Sequence, residues 1–274
     1  MRRRLPRVLS DLLLAGMLLI ALFPIYWILV ISIKPVGEIY SLVPALWPVA
    51  PTGVGYANLF AKTGFVSWVV NSAATAVVVA LGSIFLSTLA AYGLSRFQFP
   101  GRDLIGAGIL VAYLLPPALL FIPLYILVTR LGVAKSIWGL MLVYPTITIP
   151  YATWVLTSYF RSLSAEFEEA ALIDGCSRLQ VLRHVTLPLA SPGVVATLIF
   201  AFTLCWSEYL YALVILTGSA QTIPLGLSSL ILADVPKWNE IMAGAMLTSV
   251  PVVVLYTAAS RYIVSGLTLG GVKG

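Results

Sequence analysis

Few residues of this chain are of the types that carry catalytic chemistry. Its 274 residues include one histidine, two cysteines and ten acidic residues. His184, Cys176 and Cys205 do not show metal-ligand spacing, and no nucleophile–base pair is legible. A G-x-x-x-x-G-K-[ST] phosphate loop is absent from the sequence, so we do not expect this chain to hydrolyse ATP by itself. We expect no enzymatic activity, cofactor or metal in this chain.

Acidic residues are instead concentrated in one polar segment, residues 161–191. Three glutamates fall in the first turn of a predicted helix, where carboxylates are favoured by the positive end of the helix dipole: Glu166, Glu168 and Glu169. Ser164 can cap this helix, and Gly175 is placed to end it. The pattern therefore predicts a capped helix whose first turn is strongly acidic.

A second short helix is predicted from Arg178 to Val185. Ser177 and Gln180 have the spacing of a capping box, and Pro188 would end the helix before the apolar stretch that begins at Pro192. The whole segment is thus predicted to be a helix–turn–helix and not a flexible linker.

The rest of the chain is far too apolar for a soluble domain. Hydrophobic residues make up 60% and charged residues 9% of the sequence, and the mean hydropathy is +1.02, whereas a soluble domain has about 25% charged residues. A bilayer-spanning helix needs about 20 apolar residues. Six spans are predicted, at residues 12–33, 66–94, 104–129, 136–160, 194–217 and 241–261. The first exceeds a signal-peptide core in length and has no small-residue cleavage site after it, which favours an uncleaved anchor.

Basic residues favour an orientation with both termini in the cytoplasm. Eleven of the sixteen then lie inside, namely Arg2, Arg3, Arg4, Arg7, Arg96, Arg102, Arg161, Arg178, Arg183, Arg261 and Lys273. The other five lie outside, namely Lys34, Lys62, Arg130, Lys135 and Lys237. The net charge of +6 is thus explained by membrane topology, and nucleic-acid binding is not implied.

The polar segment between spans four and five resembles a known motif. Glu169-Ala170-Ala171, Gly175 and Leu187-Pro188 match the spacing of the EAA loop of ATP-binding-cassette (ABC) importer permeases, with Val185 in place of the usual isoleucine. The resemblance implies an all-α integral membrane protein with the type I ABC importer permease fold, in which residues 161–191 form the coupling loop. It also implies that an ATPase is contacted by Glu169, Ala170, Ala171, Asp174, Gly175, Leu187 and Pro188.

Further stretches resemble the shorter, G-like permease of maltose-type carbohydrate importers. They are Ala90–Phe97, Phe99–Arg102, Trp206–Leu210 and Gly266–Gly274. The resemblance implies one permease domain over residues 1–274 in a prokaryotic cytoplasmic (inner) membrane. The implied partners are a homologous permease, two ATPase subunits that hold ATP and Mg, an extracytoplasmic sugar-binding protein and membrane lipid. The C-terminal tail with Lys273 is expected to reach between the ATPases.

Polar and aromatic residues in the spans are candidates for a sugar pathway, because sugars are bound by aromatic planes and hydrogen-bonding groups. The candidates are Asn71, Tyr113, Trp206, Ser207, Glu208 and Tyr211. Ser207 departs from the asparagine that is more usual in this family. An equally weighted interpretation is that Glu208 and Asn71 bridge helices or meet the partner permease.

Two other features suggest functional roles. Pro116-Pro117 and Pro123 are predicted to interrupt the third span, as packing kinks or as a gate. The predicted external run 218–222 resembles the loop that contacts the binding protein in this family, and its residues are Gly218, Ser219, Ala220, Gln221 and Thr222.

The sequence leaves alternatives open. A secondary transporter would be expected to have an internal repeat and an ion-coupling carboxylate near the membrane centre, for which Glu208 alone is thin support. A membrane scaffold without a pathway is the other alternative. Within the family, glycerol phosphate or an oligosaccharide could replace a small sugar, although the basic residues are predicted to lie on the cytoplasmic side and give no support to an anionic ligand.

Overall fold

In the computed structural model, helices are the regular secondary structure of the described residues, 4–218, 220–232 and 235–270. Side chains are described from residue 9 to residue 260 within these ranges. The helices are α1 (Arg4–Ser32), α2 (Val36–Ile39), α3 (Val54–Lys62), α4 (Phe65–Arg96), α5 (Arg102–Leu114), α6 (Pro117–Arg130), α7 (Ile137–Val143), α8 (Pro145–Ser162), α9 (Glu166–Ile173), α10 (Arg178–Val181), α11 (Leu187–Trp206), α12 (Leu210–Ile215), α13 (Ile223–Ser229) and α14 (Trp238–Gly270). The predictions for Ser219, Lys273, Arg2 and Arg3 lie outside the described residues, as do those for the side chains of Arg4, Arg7 and Arg261.

Within the described ranges, five helical segments have the length and apolar composition to cross a membrane. They are Leu9–Ser32, Phe65–Arg96, Ile137–Ser162, Arg178–Trp206 and Trp238–Ser260. A sixth crossing is present if α5 and α6, which meet at an angle of 96°, are counted as one broken span. The single permease domain over residues 1–274 and the exact limits of its six spans remain predictions from the sequence.

The described chain falls into two compact units. One extends to Val66 and includes Gly226–Pro251, and the other comprises Ser67–Leu225 and the residues from Val252 onward. In the first unit, α3 lies tightly against the start of α14. A Cβ atom added at Gly55 would lie only 2.8 Å from the backbone oxygen of Asn239, so the close approach requires glycine. Lys34 is buried there; its Nζ donates to the Ala45 carbonyl and lies 5.0 Å from the Trp27 ring centroid.

The second unit has an apolar core where α4, α8, α11 and the turn before α11 meet. The buried members are Ile84, Ala91, Tyr92, Ala152, Leu156, Phe160, Leu182 and Ala190. Small residues allow close helix contact, since a Cβ at Gly193 would lie 2.7 Å from the Tyr159 ring. A buried hydrogen bond of 2.6 Å between the Ser83 and Thr148 hydroxyls joins α4 to α8. This packing fixes the helices from which the predicted coupling segment emerges.

The third span breaks between α5 and α6, at Leu115 and Pro116. Pro117 follows as the first residue of α6, where its missing N–H leaves no helical bond unmade. The expectation that Pro123 also interrupts this span was wrong, because α6 continues through it to Arg130. Inside an apolar span, an isolated proline removes a single backbone hydrogen bond, and such losses are tolerated.

The expectation that Pro188 ends the second helix of the polar segment was also wrong. The chain stays helical from Arg178 to Trp206, with a π-helical turn at Leu182–Thr186 between α10 and α11. A proline ring clashes with the carbonyl four residues earlier in a regular α-helix, here that of His184. The wider π turn contains that carbonyl, so it relieves the clash and lets the helix continue.

Candidate functional site

The first helix of the polar segment, α9, is bounded as its sequence predicts at its C-terminus. Gly175 has φ +87°, its N–H donates to the Leu172 carbonyl at 3.1 Å, and the Cys176 N–H donates to Ala171 at 3.0 Å. These two bonds form a Schellman motif, which requires a left-handed residue that glycine adopts without strain. At the other end, the Ser164 hydroxyl accepts the Glu166 N–H at 3.3 Å, although Ala165 is the N-cap residue.

The capping box of α10 is confirmed. The Ser177 N–H donates to Oε1 of Gln180 at 2.7 Å, and the Gln180 N–H donates to the Ser177 hydroxyl at 3.4 Å. Each side chain thus satisfies a backbone donor that the helix start leaves without a helical partner. The turn between α9 and α10 is consequently held at both of its ends.

Most of the predicted ATPase-coupling residues lie on the surface. Glu169, Ala170, Asp174, Gly175 and Pro188 are exposed, while Ala171 and Leu187 are half-buried. Sequence reasoning missed three large apolar side chains that are also exposed: Phe167, Ile173 and Leu179. Ile173 is 86% exposed. The local sequence does not separate them from Val181 and Leu182, which are also large and apolar but buried.

Glu168 differs from its exposed neighbours because it is only 3% exposed. Its Oε1 accepts from Arg96 Nε at 2.9 Å and from the Thr186 hydroxyl at 3.0 Å, and its Oε2 accepts from the Tyr92 hydroxyl at 3.4 Å. From the sequence, Glu168 is only one of three acidic residues in the first turn of α9. No local signal could have revealed the pairing, because Arg96 is 72 residues away in sequence.

Glu208 lies in a break of the fifth span, between α11 and α12. Its Oε1 accepts the Tyr211 N–H at 2.9 Å, and its Oε2 accepts the Ala212 N–H at 3.2 Å and the Tyr144 hydroxyl at 3.0 Å. The carboxylate therefore caps α12 and bridges to the residue that joins α7 to α8. This geometry supports the helix-bridging interpretation of Glu208 directly.

The two broken spans meet next to this carboxylate. The Tyr211 hydroxyl donates to the carbonyl of Pro117, the first residue of α6, at 3.1 Å. Ser207 and Tyr209, in the break itself, are exposed. Backbone interruptions inside a span are tolerated where neighbouring groups or a cavity satisfy them, and here side-chain hydrogen bonds do so.

Two pathway candidates, Asn71 and Tyr113, contact other parts of the chain. Asn71 Nδ2 donates to the Gln221 carbonyl at 2.9 Å, which ties α4 to the predicted external run. The Tyr113 ring centroid lies 5.6 Å from Tyr151 and 6.1 Å from Trp154, in a separate aromatic group. Trp206 stacks on Phe202 with ring centroids 5.4 Å apart. The structure thus brings together Glu208 and Tyr211, whereas Asn71 and Tyr113 contact other residues.

The predicted external run is only partly accessible. Gly218 is exposed with φ +66°, Ala220 and Gln221 are half-buried, and Thr222 is 2% exposed. The next residue is held to α4, since the Ile223 N–H donates to the Ser72 hydroxyl at 2.9 Å. A binding role for this run stays a prediction.

Comparison with known proteins identifies the family. Residues 83–268 match the model of binding-protein-dependent transport system inner membrane components. This chain belongs to that family. The matched region contains α9, α10, the π turn and the broken third and fifth spans.

Relatives of this permease match over nearly their full length. It is 37% identical to the inner membrane ABC transporter permease protein YcjP of Escherichia coli K12, over 100% of this chain and 99% of that protein. It is 32% identical to the trehalose/maltose transport system permease protein MalG of Thermococcus litoralis, covering 99% and 98% of the two chains. It is 31% identical to the diacetylchitobiose uptake system permease protein DasC of Streptomyces coelicolor, covering 98% and 96%.

A solved structure confirms the predicted fold. The permease superposes on a chain of a bacterial ABC transporter that imports the acidic polysaccharide alginate with a TM-score of 0.79 at 24% identity, covering 94% of this chain and 96% of that one. The all-α type I ABC importer permease fold is therefore confirmed. The protein is a multi-pass component of the inner membrane.

Proposed function

We propose that this permease is one of two homologous membrane subunits of an ATP-driven sugar importer. A binding protein on the outer side delivers the sugar, and two separate ATPase subunits, which hold ATP and Mg, supply the energy. Both termini lie in the cytoplasm. The observation that carries the proposal is the capped helix–turn–helix α9–α10, which continues without a break into a membrane span.

The α9–α10 segment is the site of contact with an ATPase. A surface that transmits force has to be stiff, and α9 is closed by a Schellman motif while α10 is opened by a capping box. The exposed Glu169 and Asp174 supply charge, and Ala170 permits close approach. Exposed Phe167 and Ile173 supply apolar area, which is typical of the centre of a protein–protein interface.

The broken third and fifth spans form part of the pathway wall. Glu208 and Tyr211 hold these breaks in place through the hydrogen bonds to Tyr144 and Pro117. The exposed Ser207 and Tyr209 lie in the fifth-span break and can offer hydroxyl groups to a sugar. Glu208 thus shapes the pathway, and its carboxylate is engaged by protein donors.

The names of the relatives support a sugar as the substrate of this permease. The names of the relatives above specify trehalose or maltose and diacetylchitobiose. A further relative from Agrobacterium fabrum, 35% identical over 95% of this chain, is named for the transport of sulfoquinovosyl glycerol. We favour neutral over anionic sugars, because the excess of Lys and Arg residues lies on the cytoplasmic side in the proposed orientation and gives no support to an anionic ligand.

Reconstitution tests the proposal. The complete complex in proteoliposomes should accumulate sugar only when ATP and the loaded binding protein are both present. A thermal-shift screen of the binding protein with neutral sugars, sugar glycerols and glycerol phosphate identifies the substrate to use. Matched proteoliposomes whose ATPase subunit cannot hydrolyse ATP are the control. Uptake that proceeds equally without ATP would contradict the proposal and favour a secondary transporter.

A further inference from the structure

The buried carboxylate of Glu168 connects three parts of the chain that are distant in sequence. Its partners are Arg96, Thr186 and Tyr92, at 2.9, 3.0 and 3.4 Å. These four residues are called the Glu168 cluster below. Thr186 is completely buried, and the Arg96 side chain is 11% exposed. The cluster is therefore an enclosed polar group at the edge of the apolar core of the second unit.

The four members of the cluster come from three elements, and Tyr92 and Arg96 share α4. Glu168 lies in the first turn of α9, and Arg96 is the last residue of α4. Thr186 ends the π turn from which α11 continues into the membrane. Arg96 also donates through Nη2 to the Leu163 carbonyl at 3.3 Å, just before α9. The helix proposed to meet the ATPase is thus joined directly to the ends of two spans.

The chemistry of the cluster makes this joint stiff. Hydrogen bonds between ionised groups are shorter and stronger than those between neutral groups. Pulling Glu168 away from Arg96 would leave a buried charge without compensation, which is strongly unfavourable. Glu166 and Glu169, in the same turn of α9, are exposed, so their charges carry no comparable penalty. A displacement of α9 is therefore expected to carry α4 and the π turn with it.

The π turn and the cluster also depend on each other. A π turn contains one more residue per hydrogen-bonded ring than an α turn, and one residue corresponds to about 100° of rotation around a helix. If Leu182–Thr186 relaxed to regular α-helix, Thr186 would rotate away from Glu168 by about that angle. The hydrogen bond from Thr186 to Glu168 at 3.0 Å therefore forms only at this rotation of α11 relative to α9.

We propose that Glu168 and Arg96 are positioning residues that couple the ATPase to the pathway. The Glu168 cluster holds α9 to the ends of α4 and α11, so that movement imposed on α9 moves both spans. This role rests on the proposed function and deepens it. Glu168 itself contacts neither ATP nor sugar; it acts through the helices that it joins.

Paired substitutions at Thr186 test the proposal with little change in shape. Thr186→Val removes the hydroxyl from a fully buried site at nearly constant volume, and Thr186→Ser keeps the hydroxyl. Glu168→Gln removes the charge, and Glu166→Gln on the exposed side of the same turn is the matched control. Each variant is purified as the full complex with its ATPases and binding protein and placed in proteoliposomes. Uptake of the sugar selected by the thermal-shift screen is measured together with ATP hydrolysis.

The expected readout is the number of sugar molecules imported per ATP hydrolysed. Because a hydrogen bond to a charged group is lost, we expect this ratio to fall about tenfold in Thr186→Val and at least that far in Glu168→Gln. Thr186→Ser and Glu166→Gln should remain within about twofold of the wild type, since each keeps the buried bonds. An unchanged ratio in Thr186→Val and Glu168→Gln would overturn the proposal. So would complexes of these two variants that fail to assemble, because the cluster would then serve folding only.

A second readout separates this proposal from the proposed function. Amide hydrogen exchange over residues 166–173 is measured in the same complexes and does not require transport. We expect exchange to rise about tenfold in Thr186→Val, because α9 is released from the joint, and to stay unchanged in Glu166→Gln. Absence of ATP-driven uptake in the wild type would contradict the proposed function alone. Unaltered exchange in Thr186→Val would contradict the Glu168 cluster alone.

Discussion

In the second unit of this permease, two glutamates hold helices together through different kinds of hydrogen-bond partner. Glu168 pairs with a cation, Arg96, and is buried next to the first turn of α9. Glu208 is half-buried in the break of the fifth span, where its partners are two backbone N–H groups and the Tyr144 hydroxyl. In the part of the chain that the structure describes, no basic group lies within ion-pair distance of Glu208.

The difference indicates how the two regions would respond to force. A buried ion pair resists separation because each charge loses its compensation. A carboxylate that caps a short helix can exchange its neutral donors for water or for a sugar hydroxyl at much smaller loss. We infer that the region of Glu168 transmits motion rigidly, whereas the region of Glu208 is the part that rearranges.

The largest effect is expected from removing the Glu208 carboxylate. Glu208→Ala leaves three donors without their acceptor, and each lost partner costs about 1–3 kcal/mol in a buried setting. We expect uptake to fall at least about tenfold, while Glu208→Gln, which keeps one acceptor oxygen, retains part of the activity. Assembly of each variant is checked by its co-purification with the ATPase and binding protein. Full activity in Glu208→Ala would show that the break does not need this cap.

Gly175 offers the next largest effect, in the rigid region. Its φ of +87° is in the left-handed range, so Gly175→Val should introduce about 1–2 kcal/mol of strain. We expect the turn after α9 to open and ATPase binding to weaken about tenfold, measured by co-purification at graded detergent and salt. Gly175→Asn should bind nearly as well as the wild type, because asparagine tolerates this conformation. Equal loss in both variants would show that the backbone conformation is not the cause.

A smaller effect is expected at the contact between the two broken spans. Tyr211→Phe removes the donor to the Pro117 carbonyl but keeps the ring, a change worth about 1 kcal/mol. We expect a two- to fivefold lower uptake rate with unchanged ATPase binding, measured in the same proteoliposomes. Weakened ATPase binding in Tyr211→Phe would contradict the inference that the regions of Glu168 and Glu208 have separate roles.

The smallest effect is expected at the capping box of α10. Ser177→Ala removes one side-chain acceptor and should lower the stability of the α9–α10 segment by about 1 kcal/mol. Amide exchange over residues 177–181 should rise, and uptake should change little because the charged joint at Glu168 remains. Ser177→Asp, which keeps an N-cap acceptor, should behave as the wild type. Loss of uptake in Ser177→Ala would show that the coupling also depends on the capping box, which would contradict this prediction.

Local chemistry made the α9–α10 turn predictable from sequence. The left-handed Gly175 and the reciprocal bonds of Ser177 and Gln180 depend on residues only a few positions apart, so their pattern is sufficient to infer them. The six apolar segments are similarly visible, because a span requires a long apolar run. The family resemblance rested on the same short-range spacing and was confirmed by the match over residues 83–268.

Non-local pairing could not be predicted in the same way. Glu168 finds Arg96 only because α4, α9 and the π turn pack together, and nothing in either local sequence specifies that approach. The break at Ser207 has no proline or glycine to mark it; it is stabilised by a carboxylate that accepts hydrogen bonds after the break. Conversely, Pro188 suggested a helix end that tertiary packing and the preceding π turn overrode.

Crosslinking from the α9 surface is the most direct test of the proposed contact between the α9–α10 segment and the ATPase. Ala171→Cys, in a chain whose Cys176 and Cys205 have been replaced, is treated with a short crosslinker in the assembled transporter, and the products are identified by mass spectrometry. We expect a crosslink to the ATPase subunit and a concurrent loss of ATP-dependent uptake. A wild-type level of uptake together with no ATPase crosslink from this position would contradict the proposed contact.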